Sequence, residues 1–476
     1  MRIISSLVLA LALAHGQTYD VAIMGGRVMD PESNLDGTRN IGIRGGKIAT
    51  ISQQPLTAQT TINANGLVVS PGFIDLHWHG QNPSTGRYQA MDGVTSALEL
   101  EIGVADLDAW YQARAGKSIL HYGAAIGHPP VRMAVMKDPG AFLPAGPAAH
   151  RQATEHELTE IKRMVEHGLR RGAPAVGIGA AYTEAATYSE ILDIFRLAAR
   201  YKASVHVHIR GASSAALTSA DRVKGLSEAI AASAITGAAV QVVHINSSGQ
   251  EATGAMLDII AEAREHGIDV TTEAYPYTAG STRIESAVFD SWMDRAPSDY
   301  QRIQWTATGE RLTRDTFLKY RKQGGSVIIH ANTEERVRLA IVSPLTMIAS
   351  DGFDIANNTG HPRSTGTYSR VLGRYVREQQ TLTLMDAIRK MTLMPARRLE
   401  TRVPSMRAKG RIREGADADI AIFDPARVTD RSTYENPGQF SEGMRWVLVD
   451  GKPVVRDGRL VEGVFAGQPI RAAVQE

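Results

Sequence analysis

Apolar and polar residues alternate in short blocks near both ends of the chain. Tyr19-Asp20-Val21-Ala22-Ile23, Arg39-Asn40-Ile41-Gly42-Ile43 and Lys47-Ile48-Ala49-Thr50-Ile51 read as strands, with Gly25-Gly26 and Gly45-Gly46 at the turns between them. The same texture returns from about residue 405, in Asp419-Ile420-Ala421-Ile422-Phe423 and Trp446-Val447-Leu448-Val449-Asp450-Gly451. Two β-rich ends around one large middle predict a small β-sandwich domain built from residues 17–70 and 396–476 together.

The middle, residues 71–395, alternates between two periods. Strand-like apolar runs end near His79, Glu101, Ala125, Gly179, His208, Asn246, Tyr277 and Asp351. Helical patterns separate most of them. One is 186–200, where Ile191, Phe195, Leu197 and Ala198 fall on one face, and another is 252–266. Eight repeats of strand and helix predict an α/β chain folded as a (β/α)8, TIM-like barrel. Ser326–His330 is a ninth strand-like run, expected in an insertion between the seventh and eighth strands.

The first sixteen residues stand apart. Met1-Arg2 precedes the apolar run from Ile3 to Ala14, and Ala12-Leu13-Ala14 and Ala14-His15-Gly16 offer small-residue cleavage sites. The run is shorter than the roughly 20 residues of a membrane span. It reads as a secretory signal peptide at 1–16, with a periplasmic or secreted mature protein. The alternative is an N-terminal strand.

Composition narrows the chemistry. Apolar residues make 43% of the chain and charged ones 21%, enough apolar side chain for a packed core. The net charge of +2 argues against a nucleic-acid binder, and no other stretch is long and apolar enough to span a bilayer. The expected partner is a small molecule. With no cysteine, disulfides, iron–sulfur clusters and thiol nucleophiles are excluded, and any metal must be held by histidines and carboxylates.

Those residue types gather at the ends of the strand candidates, the face on which barrels carry their active sites. In Pro71-Gly72-Phe73-Ile74-Asp75-Leu76-His77-Trp78-His79, the two histidines share a strand face and form a ready chelate. A second His-x-His stands in Val205-His206-Val207-His208, a single histidine in Val242-Val243-His244, and an acid in Ser350-Asp351-Gly352. Five histidines and one aspartate on separate strand ends point to a metal site assembled from several strands.

Together these residues resemble the amidohydrolase superfamily. Lys409-Gly410-Arg411-Ile412 and Gly415-Ala416-Asp417-Ala418-Asp419-Ile420 resemble its C-terminal segment. The chain is most similar to the D-aminoacylase (N-acyl-D-amino-acid deacylase) branch in Tyr275-Pro276-Tyr277-Thr278-Ala279-Gly280-Ser281-Thr282, His208-Ile209-Arg210, Gly127-His128 with Arg132, and His361-Pro362-Arg363. The resemblance covers roughly residues 20–455. It implies hydrolysis of a linear amide of a carboxylate-bearing substrate by water activated at one or two zinc ions. His77, His79, His208, His244 and Asp351 are the implied ligands, with Asp351 also the general base. Arg363 is implied to fork onto the substrate carboxylate, assisted by Tyr275 and Ser281, and His206 and His128 to orient the ligands. Arg283 is either a reader of an acidic substrate or the partner of a nearby glutamate.

The chain departs from the patterns of the superfamily in three places. The branch has a cysteine ligand just after strand two, other branches a carboxylated lysine at strand four, and this chain has neither. Leu98-Glu99-Leu100-Glu101 supplies the natural replacement, and Glu101, nearer the rim, is expected to be the ligand before Glu99. A lysine two residues after the strand-six histidine is replaced by Asn246. The alternatives are a dipeptidase or a cyclic amidase related to dihydroorotases and hydantoinases, with the same metal site and a different pocket, or an inactive exported scaffold of the same fold.

Overall fold

The computed structural model describes residues 18–475 apart from 81, 83, 84 and 212–217, so the expected signal peptide lies outside the described residues. The chain opens with β1 (Tyr19–Asp30), β2 (Leu35–Arg44), β3 (Lys47–Ser52), β4 (Ala58–Asn63) and β5 (Val68–Pro71). Seven strands follow: β6 (Phe73–Asp75), β7 (Val94–Val104), β8 (His121–Gly127), β9 (Ala175–Gly179), β10 (Ser204–His208), β11 (Val240–Val242) and β12 (Val270–Ala274). Three more, β13 (Ala279–Arg283), β14 (Ile303–Trp305) and β15 (Ser326–His330), make a separate small sheet before β16 (Thr346–Ile348). The chain ends through β17 (Ile420–Phe423), β18 (Met444–Val449), β19 (Lys452–Arg456) and β20 (Arg459–Leu460).

Strands β6 to β12 and β16 form one eight-stranded parallel sheet in the order β16-β12-β11-β10-β9-β8-β7-β6. The helices between them start where the sequence supplies caps. Thr187 caps Tyr188–Arg200, and Thr154 with Glu157 forms a capping box on Glu155–Arg170. Strands β8, β9 and β10 are buried along their whole length, as expected of parallel strands covered on both faces. The barrel closes just beyond its ladders. Trp78 bridges Gly352, the His79 N–H donates to Gly352 O at 2.7 Å, and the Ser350 N–H donates to Asp75 Oδ1 at 3.1 Å. Closure therefore sets the His77–His79 segment beside Asp351.

Several ladders stop short of the runs read from the sequence. β11 ends at Val242 and β16 at Ile348, because His244 (φ 32°) and Asp351 (φ 51°) adopt left-handed backbone that turns the chain out of the sheet. Asn246, taken as strand, lies in the short helix Ile245–Gly249.

The two chain ends pair as expected. Their nine strands form one mixed sheet in the order β20-β19-β18-β17-β5-β1-β2-β3, with β4 on β1. It curls until Lys47 in β3 bridges Asp417 beside β17, enclosing Ile23, Ile41, Ile48, Val69, Ile420 and Leu448. A buried ion network pins this domain to the barrel. His121 of β8 meets Asp419 at 2.9 Å, and Asp419 accepts from Lys409 at 2.6 Å. Ser326–His330 sits between the seventh and eighth barrel strands, as read. Its insertion has a core of Phe289, Trp292, Tyr300 and Phe317 packed with Ile102, Leu143 and Tyr182. No described helix is long and apolar enough to cross a membrane.

Candidate metal centre

The Glu101 carboxylate stands at the middle of the buried polar cluster, and its two oxygens face different strands. Oε2 lies 3.2 Å from His77 Nε2 and 3.1 Å from His79 Nε2. Oε1 lies 2.6 Å from His208 Nδ1 and 3.4 Å from His244 Nε2. Asp351 Oδ1 approaches both His77 and His79 Nε2 at 3.4 Å. Among the described residues, three triads have ligand atoms close enough to share an ion: His77, His79 and Glu101; His77, His244 and Asp351; and Glu101, His208 and His244. β7, β10 and the turns after β6, β11 and β16 each contribute, so the site exists only when the barrel closes.

The far sides of these rings decide whether a cation fits. His77 Nδ1 donates to Glu273 Oε1 at 2.5 Å, His79 Nδ1 to Glu99 Oε2 at 2.7 Å, and His244 Nδ1 to Ser248 Oγ at 3.0 Å. The oxygens accept these hydrogens, so wherever a ring is neutral its Nε2 lone pair turns inward. His77 and His79 Nε2 are 3.0 Å apart, beside the oxygens of Glu101 and Asp351. Lone pairs gathered so closely repel one another unless a cation lies among them, and the donor set of imidazole and carboxylate suits a zinc-like ion.

The electrostatics agree. Burial depresses the His77 and His79 pKa values, but the carboxylates around them (Asp351, Glu101 and Glu273 for His77; Glu99 first for His79) outweigh burial and hold both well above the usual range. Burial opposes ionisation of Glu101, yet His77 and His208 keep it well below the usual carboxylate range. Asp351 is held low by Arg363 and His77 against the same burial. A field that favours protons on imidazoles also favours a dication, and the two compete for the same atoms.

A cavity of about 360 Å³ opens onto the cluster. One wall is Ile102, Phe142, Leu143, Tyr182, Trp292 and Phe353, and the others carry Tyr275, Ser281, Asn332 and Arg363. Arg363 is 1% exposed. Its Nη1 sits 2.8 Å from Asp351 Oδ2, its Nη2 donates to the Ser281 carbonyl at 3.2 Å, and its guanidinium lies 4.6 Å from the centre of the Tyr275 ring. Tyr275 thus supports Arg363 through its ring face, and Ser281 acts on it through the main chain. Arg363 Nε has no hydrogen-bond partner among the described residues.

Two expected helpers are elsewhere. His206 shares its strand face with His208 but lies one step lower, and its bond runs to Ser204 Oγ at 3.2 Å. His128 is buried in an ion network with Glu190 (2.8 Å) and Arg132, at the start of the helix His128–Met136. Neither bonds to a candidate ligand, because the period of a strand and the turn after β8 carry them away from the rim. The ring-orienting positions go instead to Glu99, Glu273 and Ser248. Glu273 was missed in the sequence, although a lone acid inside the run Val270–Ala274 is the same costly signal that pointed to Glu101. Arg283 pairs with Glu285 at 2.8 Å, and Asn246 donates to the Tyr275 carbonyl at 3.1 Å.

The model of the amidohydrolase family matches residues 132–455, more than half of the chain. The chain belongs to this family. This amidohydrolase is 29% identical to an N-acyl-D-glutamate deacylase of Alcaligenes xylosoxydans xylosoxydans over 95% of its own length and 99% of the relative's. It is 28% identical to a D-aminoacylase of the same organism over 96% of its own length and 98% of the relative's. A crystal structure of N-acyl-D-glutamate deacylase from Bordetella bronchiseptica, complexed with zinc and a phosphonate mimic of the tetrahedral intermediate, is 27% identical. It matches with a TM-score of 0.80, covering 96% of this chain and 100% of that one. Family, fold and ligand clusters together make the protein a metal-dependent hydrolase of a small-molecule amide. The resemblance read from the motifs is borne out.

Proposed function

We propose that this amidohydrolase hydrolyses N-acyl-D-amino acids after export from the cytoplasm, with zinc held by His77, His79, Glu101, His208, His244 and Asp351. The observation that carries the reading is the placement of Arg363 in the same cavity as the ligand cluster, 2.8 Å from Asp351. The names of the relatives at 29% and 28% identity support the substrate class. The two oxygens of Glu101 divide the ligands into two groups, so that one ion would be held with His77 and His79 and a second with His208 and His244.

Zinc bound there would polarise the amide carbonyl and acidify the attacking water. The rest belongs to the chain. Arg363 receives the substrate's α-carboxylate on its planar fork, with the Tyr275 ring holding the guanidinium from one face. Asp351, kept ionised by Arg363 and the histidines, takes the proton of the attacking water and returns it to the nitrogen of the leaving amine. The apolar wall from Ile102 to Phe353 shields the acyl group and excludes bulk water, which strengthens every charge interaction inside. A panel of N-acyl-D-amino acids, dipeptides, hydantoins and dihydroorotate on zinc-loaded protein tests the reading. Turnover confined to the cyclic amides or to dipeptides would overturn it.

A further inference from the structure

Below the candidate metal ligands, a file of polar side chains runs down the inside of the barrel, and neither the resemblance nor the proposed chemistry uses it. Glu273 in β12 is 1% exposed. Its Oε1 accepts from His77 Nδ1 at 2.5 Å, and its Oε2 accepts from the Gln241 side-chain amide in β11. Gln241 Oε1 accepts from Thr271 Oγ1 at 3.2 Å. Thr271 Oγ1 in turn accepts from Arg398 Nη1 at 3.1 Å, and Arg398 clamps Asp269 through both Nη atoms at 2.8 and 2.9 Å. Thr271 and Glu273 recur with the two-residue period of β12 and climb one face of it toward the rim, and Asp269 lies just before the strand. Gln241 pairs in register with Thr271 across the β11–β12 ladder.

We infer that Glu273 and Gln241 are positioning residues that set the His77 ring for metal binding, held from the opposite end of the barrel by Arg398. The inference rests on the reading that His77 is a metal ligand. A carboxylate on Nδ1 fixes the tautomer, aims Nε2 at the ion and makes it a stronger donor. Glu273 could rotate about its last bond and lose that alignment. Gln241 stops it, because its amide occupies the second oxygen and its own carbonyl is tied to Thr271. A buried acid in a barrel strand is costly without such partners, and packing alone would select an aliphatic residue there. The file thus joins the metal-facing end of the barrel to Arg398, which Leu393–Leu399 delivers at the far end.

The decisive measurement is the zinc dissociation constant by chelator competition for wild type, Glu273→Gln, Gln241→Met and His77→Ala, each checked for fold by circular dichroism. Expected are weakening by about 10–100-fold in Glu273→Gln and a smaller weakening in Gln241→Met, with KM of the zinc-saturated enzyme unchanged. A merely structural role would lower the melting temperature and leave zinc affinity alone. A folded Glu273→Gln that binds zinc as tightly as wild type overturns the inference. Should Glu273→Gln fail to fold, Gln241→Met decides alone, weakened binding supporting the inference and unchanged binding overturning it. His77→Ala separates the two layers. If it leaves zinc affinity unchanged, the ligand reading has failed. If it weakens binding while Glu273→Gln and Gln241→Met do not, only the positioning role has failed.

Discussion

Glu99 accepts the Nδ1 hydrogen of His79 at 2.7 Å, and the opposite nitrogen of that ring then faces Glu101 at 3.1 Å. Two glutamates on one face of one strand therefore do different jobs. Glu101 supplies oxygens to the ligand cluster, and Glu99 orients a ring that does so. Glu101→Gln should fold, hold less metal and lose most activity, whereas Glu99→Gln should be milder, within the 10–100-fold typical of groups behind a ligand. Elemental analysis and rates on both variants check this. Full occupancy and activity in Glu101→Gln would discard the assignment, and the reverse ranking would transfer it to Glu99.

Arg363 is expected to anchor the substrate carboxylate. Lysine keeps the charge but lacks the planar fork. Arg363→Lys should therefore reduce kcat/KM on a carboxylate-bearing amide by about 2–4 kcal/mol, the scale of charge-assisted pairs. Wild-type efficiency on the best substrate would show that Arg363 serves Asp351 and not the substrate.

Asp92 makes stability depend on pH at a distance from the chemistry. Burial pushes its carboxyl up to about 7, against hydrogen bonds from Ser369, Ser441 and the Tyr368 N–H that favour the anion. In the unfolded chain the group titrates near about 3.9. Between those values the folded protein keeps a proton that the unfolded chain releases, so this group's contribution falls as pH rises from about 4 through about 7. Asp92→Asn cannot titrate. The melting temperature of wild type minus that of Asp92→Asn should decline over this window and level off above it. A flat difference would contradict the shift.

The N-terminus offers an independent check on location. Protein recovered from an exporting host should begin after Ala14 or Gly16, and N-terminal sequencing reads this directly. Retention of Met1 together with cytoplasmic fractionation would reject export.

Most of the barrel was legible because its strands are short apolar runs and its helices keep their apolar residues on one face, signals that act within a few residues. The His77–His79 pair and Glu101 were legible for the opposite reason, since polar residues inside such runs are costly without a purpose. What escaped depends on distance. Nothing local to Val270–Ala274 says that Glu273 meets His77, because that contact exists only once β12 and β6 come together around the barrel. The ends of β11 and β16 were overextended because left-handed backbone at His244 and Asp351 is imposed by the surrounding fold, not by a glycine in the sequence. His128 was misplaced because its partner Glu190 lies 62 residues away in another helix.

Zinc-dependent hydrolysis of N-acyl-D-amino acids is tested most directly by one paired assay. Purified protein is stripped with a chelator, reloaded with zinc, and given matched D and L enantiomers of several N-acetyl amino acids while release of the free amino acid is followed. The expected result is no release by the stripped protein, restored release on adding zinc, and a clear preference for the D enantiomer. Release that is unaffected by stripping, or zinc-loaded protein that cleaves the L enantiomers or neither, would contradict it.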